Sequence, residues 1–148
     1  VCAELGARAG LQASWGNQAI ILKDWGRLDE AMELLKKKEA VCAELGDRAG
    51  LQASWGNQAL ILQARGRLEE AMELLKKQEA VSAELGDRAG IARSLVNQGT
   101  IQYERFQFAE ARAGWEAALA VFTELGMPRE RDIVQRNLDV VNRKHPAS

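Results

Sequence analysis

Residues 41–80 read VCAELGDRAGLQASWGNQALILQARGRLEEAMELLKKQEA, and residues 1–40 carry the same string without a gap. The two copies differ at seven of 40 positions: Ala7/Asp47, Ile20/Leu60, Lys23/Gln63, Asp24/Ala64, Trp25/Arg65, Asp29/Glu69 and Lys38/Gln78. Residues 81–120 keep the register with more drift, and Val121-Phe-Thr-Glu-Leu-Gly opens a fourth copy before the character changes. A fixed period of 40 means an array of like units, each leaning on its neighbours.

One period encodes two helices. Asp47 is placed to cap a helix starting near Arg48, where free first-turn amides need an acceptor. Leu51, Trp55, Ala59 and Leu62 then recur at helical spacing, and Gly66 ends the helix. Leu68, Ala71, Met72, Leu75 and Ser82 share one face of a second helix that runs to about Leu85, with Gly86 behind it. Glu73 and Lys77 stand four apart in the favourable order on its wet side. Each helix of about 18 residues is roughly 27 Å long.

Composition agrees. Across 148 residues, 47% are apolar and 28% charged, so the chain is expected to fold. Pro128 and Pro146 are the only prolines. The 20 basic and 21 acidic residues nearly cancel, without the basic excess of a general nucleic-acid binder. No apolar run reaches the ~20 residues of a membrane span. Val1-Cys-Ala-Glu is not a secretory leader, and a chain without an initiator Met is expected to be a fragment or a processed product. The expected location is the cytoplasm.

A lone hairpin cannot bury its apolar face, so stacked copies must share a core. Residues 127–148 read as a capping helix and tail: Pro128 suits a first turn, and Val134, Leu138 and Val141 form a narrow stripe among charges. Residues 1–6 match only the last turn of a second helix and leave an apolar end open to self-association. Repeats are expected at 7–46, 47–86 and 87–126, within a single array over 1–148.

The string Trp55-Gly-Asn-Gln-Ala, followed by Gly66-Arg-Leu-Glu-Glu-Ala71, resembles the tetratricopeptide repeat (TPR). It recurs as Trp15, Ala19, Gly26, Leu28 and Ala31, and as Leu95, Gly99, Phe108 and Ala111. The period and the linker Glu-Leu-Gly-Asp-Arg-Ala-Gly are similar to Pins/LGN-type scaffolds and kinesin-light-chain-like bacterial repeats. HEAT-type repeats share the ~40-residue length, but the Gly and Ala anchors fit TPR better. The resemblance implies an all-α, right-handed solenoid of antiparallel hairpins, with about seven helices plus a partial N-terminal one.

Two places depart from the family pattern. Gln18, Gln58 and Gln98 stand where an apolar residue is usual; buried, each would need hydrogen bonds, because an unpaired amide costs about 1–3 kcal/mol. Phe106 replaces the turn glycine, so that turn is expected to differ and Tyr103, Phe106, Phe108 and Trp115 to cluster.

No enzymatic constellation emerges. His145, the only histidine, reads as a solvated bystander in a polar tail, and the linker glycines are isolated rather than gathered in a phosphate loop. Cys2 and Cys42 sit at equivalent positions of neighbouring helices, about 8–10 Å apart and too far for a disulfide. They read as free thiols in the core. No zinc spacing occurs, no cofactor is expected, and Lys36-Lys37-Lys38 reads as a solvated face.

The resemblance implies that the first helix of each repeat lines a groove for a peptide of a protein partner, gripped by Asn17, Asn57 and Asn97. An amide both donates and accepts, so one per repeat suits successive peptide groups. Gly16, Gly56, Lys23, Gln63, Arg93 and Tyr103 are the flanking candidates. Arg93 suits an acidic side chain; Ala13 and Ala53 at the equivalent positions argue against a terminal-carboxylate receptor. The alternative role is a structural spacer or self-assembling array, in which the asparagines only stabilise the stack.

Overall fold

The computed structural model describes residues 14–147. Among them are seven helices and no strand. Helix α1 covers residues 14–24 of the described chain. It is followed by α2 (Leu28–Leu45), α3 (Arg48–Ala64), α4 (Leu68–Leu85), α5 (Arg88–Glu104), α6 (Phe108–Glu124) and α7 (Pro128–Lys144). The partial helix expected at residues 1–6, together with Cys2 and Ala13, lies outside the described residues. None of the described helices is long and apolar enough to cross a membrane.

The helix starts follow their local chemistry. Asp47 and Asp87 cap α3 and α5, each accepting the amide of the residue three ahead, Gly50 or Gly90, at 2.9 Å. In α7 the Asp position is Met127, and the proline at the first turn takes over because it lacks the N–H that would need a partner.

The chain divides into two compact units, Val1–Val81 and Ser82–Ser148. In the first, Ala19, Ala31, Leu35 and Ile61 are buried together, with Leu22, Leu28, Met32 and Leu34 packed around them. Polar groups share this core. Ser54 donates to the Leu35 carbonyl at 2.7 Å and accepts from Gln58 Nε2 at 3.1 Å. The buried Gln58 is thereby satisfied; the equivalent Gln18 is exposed and bonds Ser14 at 3.1 Å. Cys42 is fully buried, in no disulfide, with its thiol toward Asp47 Oδ2 at 3.9 Å, and a side chain at Gly50 would come within 2.5 Å of its sulfur.

In the second unit, Trp115, Ala118 and Phe122 of α6 meet Val134, Leu138 and Val141 of α7, the stripe read from the sequence, and Ala92 of α5. Gly99 admits Trp115, since a Cβ there would lie 2.5 Å from the indole nitrogen. That nitrogen donates to the Val96 carbonyl at 3.1 Å. Ser82 and Gln98 are buried; Gln98 donates to Ser94 at 3.1 Å.

Two expectations are corrected here. The turn at Phe106 does not differ: Phe106 takes φ 63°, where Gly66 has 77°. Both turns make the same bonds, Gln107 N–H to Gln102 O at 2.8 Å and Arg67 N–H to Leu62 O at 2.9 Å. The second concerns His145, which is half-buried and stacked on Phe108 with ring centroids 3.6 Å apart. Its carbonyl accepts from Arg112, which also donates to Asn142 at 2.8 Å. The aromatic cluster forms, with Tyr103 5.2 Å from Phe108 and 6.0 Å from Trp115, and with His145 as a further member.

Candidate functional site

The positions singled out in the sequence fall on the first helices, but they do not share one environment. Asn17 is exposed, while Asn57 and Asn97 are half-buried. Lys23 and Gln63 are half-buried near the ends of α1 and α3. Gly16 and Gly56 are buried, and their missing side chains are answered from within the same repeat. A Cβ at Gly16 would lie 2.8 Å from Lys38 Nζ, and one at Gly56 2.7 Å from Gln78 Nε2. These two glycines therefore make room for the second helix of their own hairpin. The same contact shows Lys38 folded back onto α1, unlike its neighbours Lys36 and Lys37 on the wet face.

The second unit brings candidates together. Arg93 and Asn97 of α5 line a cavity of about 270 Å³ with Val96, Phe122, Glu130, Ile133 and Val134. Tyr103 lines a second cavity, about 210 Å³, with Thr100, Glu104, Trp115, Asn137 and Val140. Both are formed between α5 and α7, with α6 as their floor. Arg93 is exposed at the first, and the ring of Tyr103 is held by Phe108, Trp115 and His145 at the second.

Asn137 was missed in the sequence. It stands 40 residues after Asn97 and extends the series Asn17, Asn57, Asn97 by one member. The period alone would have found it; reading residues 127–148 as a cap hid it. Ile133 is likewise the counterpart of Arg93, and Val140 that of Thr100. The groove thus has equivalent rows on α5 and α7: Arg93 with Ile133, Asn97 with Asn137, Thr100 with Val140. Each cavity sets one amide beside apolar surface; Arg93 shares the first with the carboxylate of Glu130, and Glu104 lines the second.

A tetratricopeptide-repeat family model matches residues 50–124, half of the chain. No curated protein matches it. Among solved structures, the crystal structure of BtubC (BKLC) from P. vanneervenii aligns with a TM-score of 0.82 at 22% identity, covering 92% of this chain and 57% of that one. A candidate kinesin light chain of Podosopora anserina, with nearly identical TPR-like repeats, aligns with a TM-score of 0.75 at 24% identity, covering 88% of this chain and 64% of that one. The chain spans less than two thirds of either structure's length, and at these identities the likeness is one of fold, an all-α solenoid of TPR-like repeats.

Proposed function

The chain belongs to the tetratricopeptide repeat family, and from that premise we propose that it is a protein-interaction module holding a peptide segment of a partner against the first helices of its repeats. The observation that carries this reading is the pair of cavities between α5 and α7, each containing one asparagine of the 40-residue series. Asn97 and Asn137 each bring a donor and an acceptor to an apolar cleft, the combination that holds a peptide backbone whatever its side chains. Arg93 selects an acidic group near one end. Tyr103 offers an apolar face at the other, kept in place by its ring neighbours. In the first two repeats Asn17, Lys23, Asn57 and Gln63 hold the equivalent places on α1 and α3, whereas Gly16 and Gly56 act through hairpin packing.

We read the chain as non-enzymatic, without a cofactor, acting on protein rather than nucleic acid or membrane, and residing in the cytoplasm, where a cysteine kept as a thiol is at home. A peptide-display selection against the chain tests the groove, run in parallel on Arg93→Ala and Asn97→Ala. The reading expects a selected peptide whose affinity falls about tenfold in either variant. Enrichment indifferent to both substitutions would favour a structural spacer.

A further inference from the structure

Gln58 is buried on α3, 4% exposed, yet only half of its amide is used inside the protein. Its Nε2 donates to Ser54 at 3.1 Å and to Glu39 of α2 at 3.5 Å. Those partners fix which way the amide faces. Ser54 gives its one hydroxyl proton to the Leu35 carbonyl, and a carboxylate has none to give, so both can only accept from Gln58. The amide oxygen is turned to the other side, and among the described residues no hydrogen bond reaches it.

On that side lies a cleft of about 450 Å³ between α2 and α4, with Gln58 and Leu62 of α3 as its floor. It is closed by helices of two consecutive repeats, so it is no end face of the stack. Two of its ion pairs are complete: Arg65 with Asp29, and Arg67 with Glu70 at 3.0 Å. Glu33 of α2 and Glu73 of α4 are exposed on opposite walls and, among the described residues, belong to no ion pair. Lys36 is the one cation of the lining outside the two pairs. The unmatched groups therefore carry one net negative charge around a buried acceptor. Among the described residues no three ligating side chains converge to hold a metal ion, so these acceptors suit a larger cation.

We propose that this cleft receives the guanidinium of an arginine side chain from a partner protein. The arginine stem lies on Leu62 and Leu74, one N–H donates to Gln58 Oε1 at the floor, and the others meet Glu33 and Glu73. The three acceptors come from three helices. A planar fork with five N–H groups serves such separated acceptors, where a lysine ammonium would have to choose among them. Guanidinium is also the more weakly hydrated cation and costs less to bring to a buried oxygen. The acidic wall is particular to these repeats, since the third copy carries Ala113 in the place of Glu73. The site is distinct from the α5–α7 cavities and does not depend on the peptide reading.

The probe is N-acetyl-arginine methylamide, titrated onto the full chain and followed through the side-chain amide resonances of Gln58. The citrulline and lysine analogues are run in parallel. The arginine probe should saturate with a Kd of about 1–10 mM, the range open to a single side chain. Citrulline keeps the shape without the charge and should bind about fivefold more weakly, with lysine about threefold weaker than arginine. Glu73→Gln should weaken the arginine probe about threefold, and Lys36→Gln should strengthen it by about as much, because it removes a like charge from the lining. Both variants change exposed side chains and should leave the helical circular dichroism unchanged. No saturating shift at Gln58 up to about 50 mM would overturn the proposal. So would equal binding of the citrulline or lysine analogue, or an arginine affinity that Lys36→Gln leaves unchanged or lowers. Free L-arginine binding about tenfold more tightly than the blocked probe would overturn the assignment to a partner protein, because the cleft would then hold the amino acid itself.

Discussion

Phe106 and Cys42 show how single side chains meet demands set by the repeat. The hairpin turn requires a left-handed residue, and in the third copy a phenylalanine fills the place of glycine while 81% exposed. Its return is an edge contact with Phe108, ring centroids 6.2 Å apart. Left-handed backbone costs a residue with a Cβ about 1–2 kcal/mol, more than such an exposed contact contributes. Phe106→Gly should therefore raise stability by about 0.5–1 kcal/mol after glycine's larger unfolded-state entropy is subtracted. A lower denaturation midpoint would contradict this. Cys42 titrates differently. Burial pushes its thiol above the ordinary value, the Asp47 carboxylate adds to that, and Lys38 works in the opposite direction. A raised folded pKa contributes stability that is present below the unfolded thiol's value of about 8.5 and is lost as pH rises through the folded value. Denaturation at several pH values should show wild type losing stability above about pH 8.5 relative to Cys42→Ser, the residue that the next copy carries as Ser82. Parallel pH curves would refute it.

Among the elements, α3 carries the clearest lesson about legibility. Its length, its Asp47 cap and its glycine turn could all be read from residues 47–66, because each is dictated locally. Its buried face could be read only in part. Ala59 and Leu62 are in the core, but Ser54, Gly56, Gln58 and Ile61 are buried beside them. Apolar periodicity is blind to a serine and a glutamine that satisfy each other four residues apart, since that pairing matters only once α2 supplies the Leu35 carbonyl. Ser54→Ala should cost about 1–3 kcal/mol, because it strips that carbonyl and Gln58 of a buried partner. A loss below about 0.5 kcal/mol in urea denaturation would mean the seam is not a structural bond. On the site side, the sequence marked Arg93, Asn97 and Tyr103 but could not tell that they divide between two cavities. Nor could it tell that Gly16 and Gly56 face their own hairpin. Those distinctions depend on which side chain of the second helix fills each gap, Lys38, Gln78 or Trp115.

At the scale of the whole molecule, near-identical copies build unlike surfaces. Duplication supplies one frame of helix pairs, and a handful of differences decide what each repeat presents. In the first repeat these are Ile20, Lys23, Asp24 and Trp25; in the third they include Arg93 and Tyr103. A family of frames serves many partners, so function resides in those differences rather than in the fold. The central claim is that the amides of the first helices hold a peptide. The most direct measurement is an NMR titration of the side-chain amide resonances of Asn57, Asn97 and Asn137 with the peptide selected by display. The account predicts saturating shifts at Asn97 and Asn137, with the Arg93 guanidinium signal moving at the same peptide concentration. Shifts confined to residues outside the α5–α7 cavities, with both asparagine amides unmoved at saturation, would contradict it.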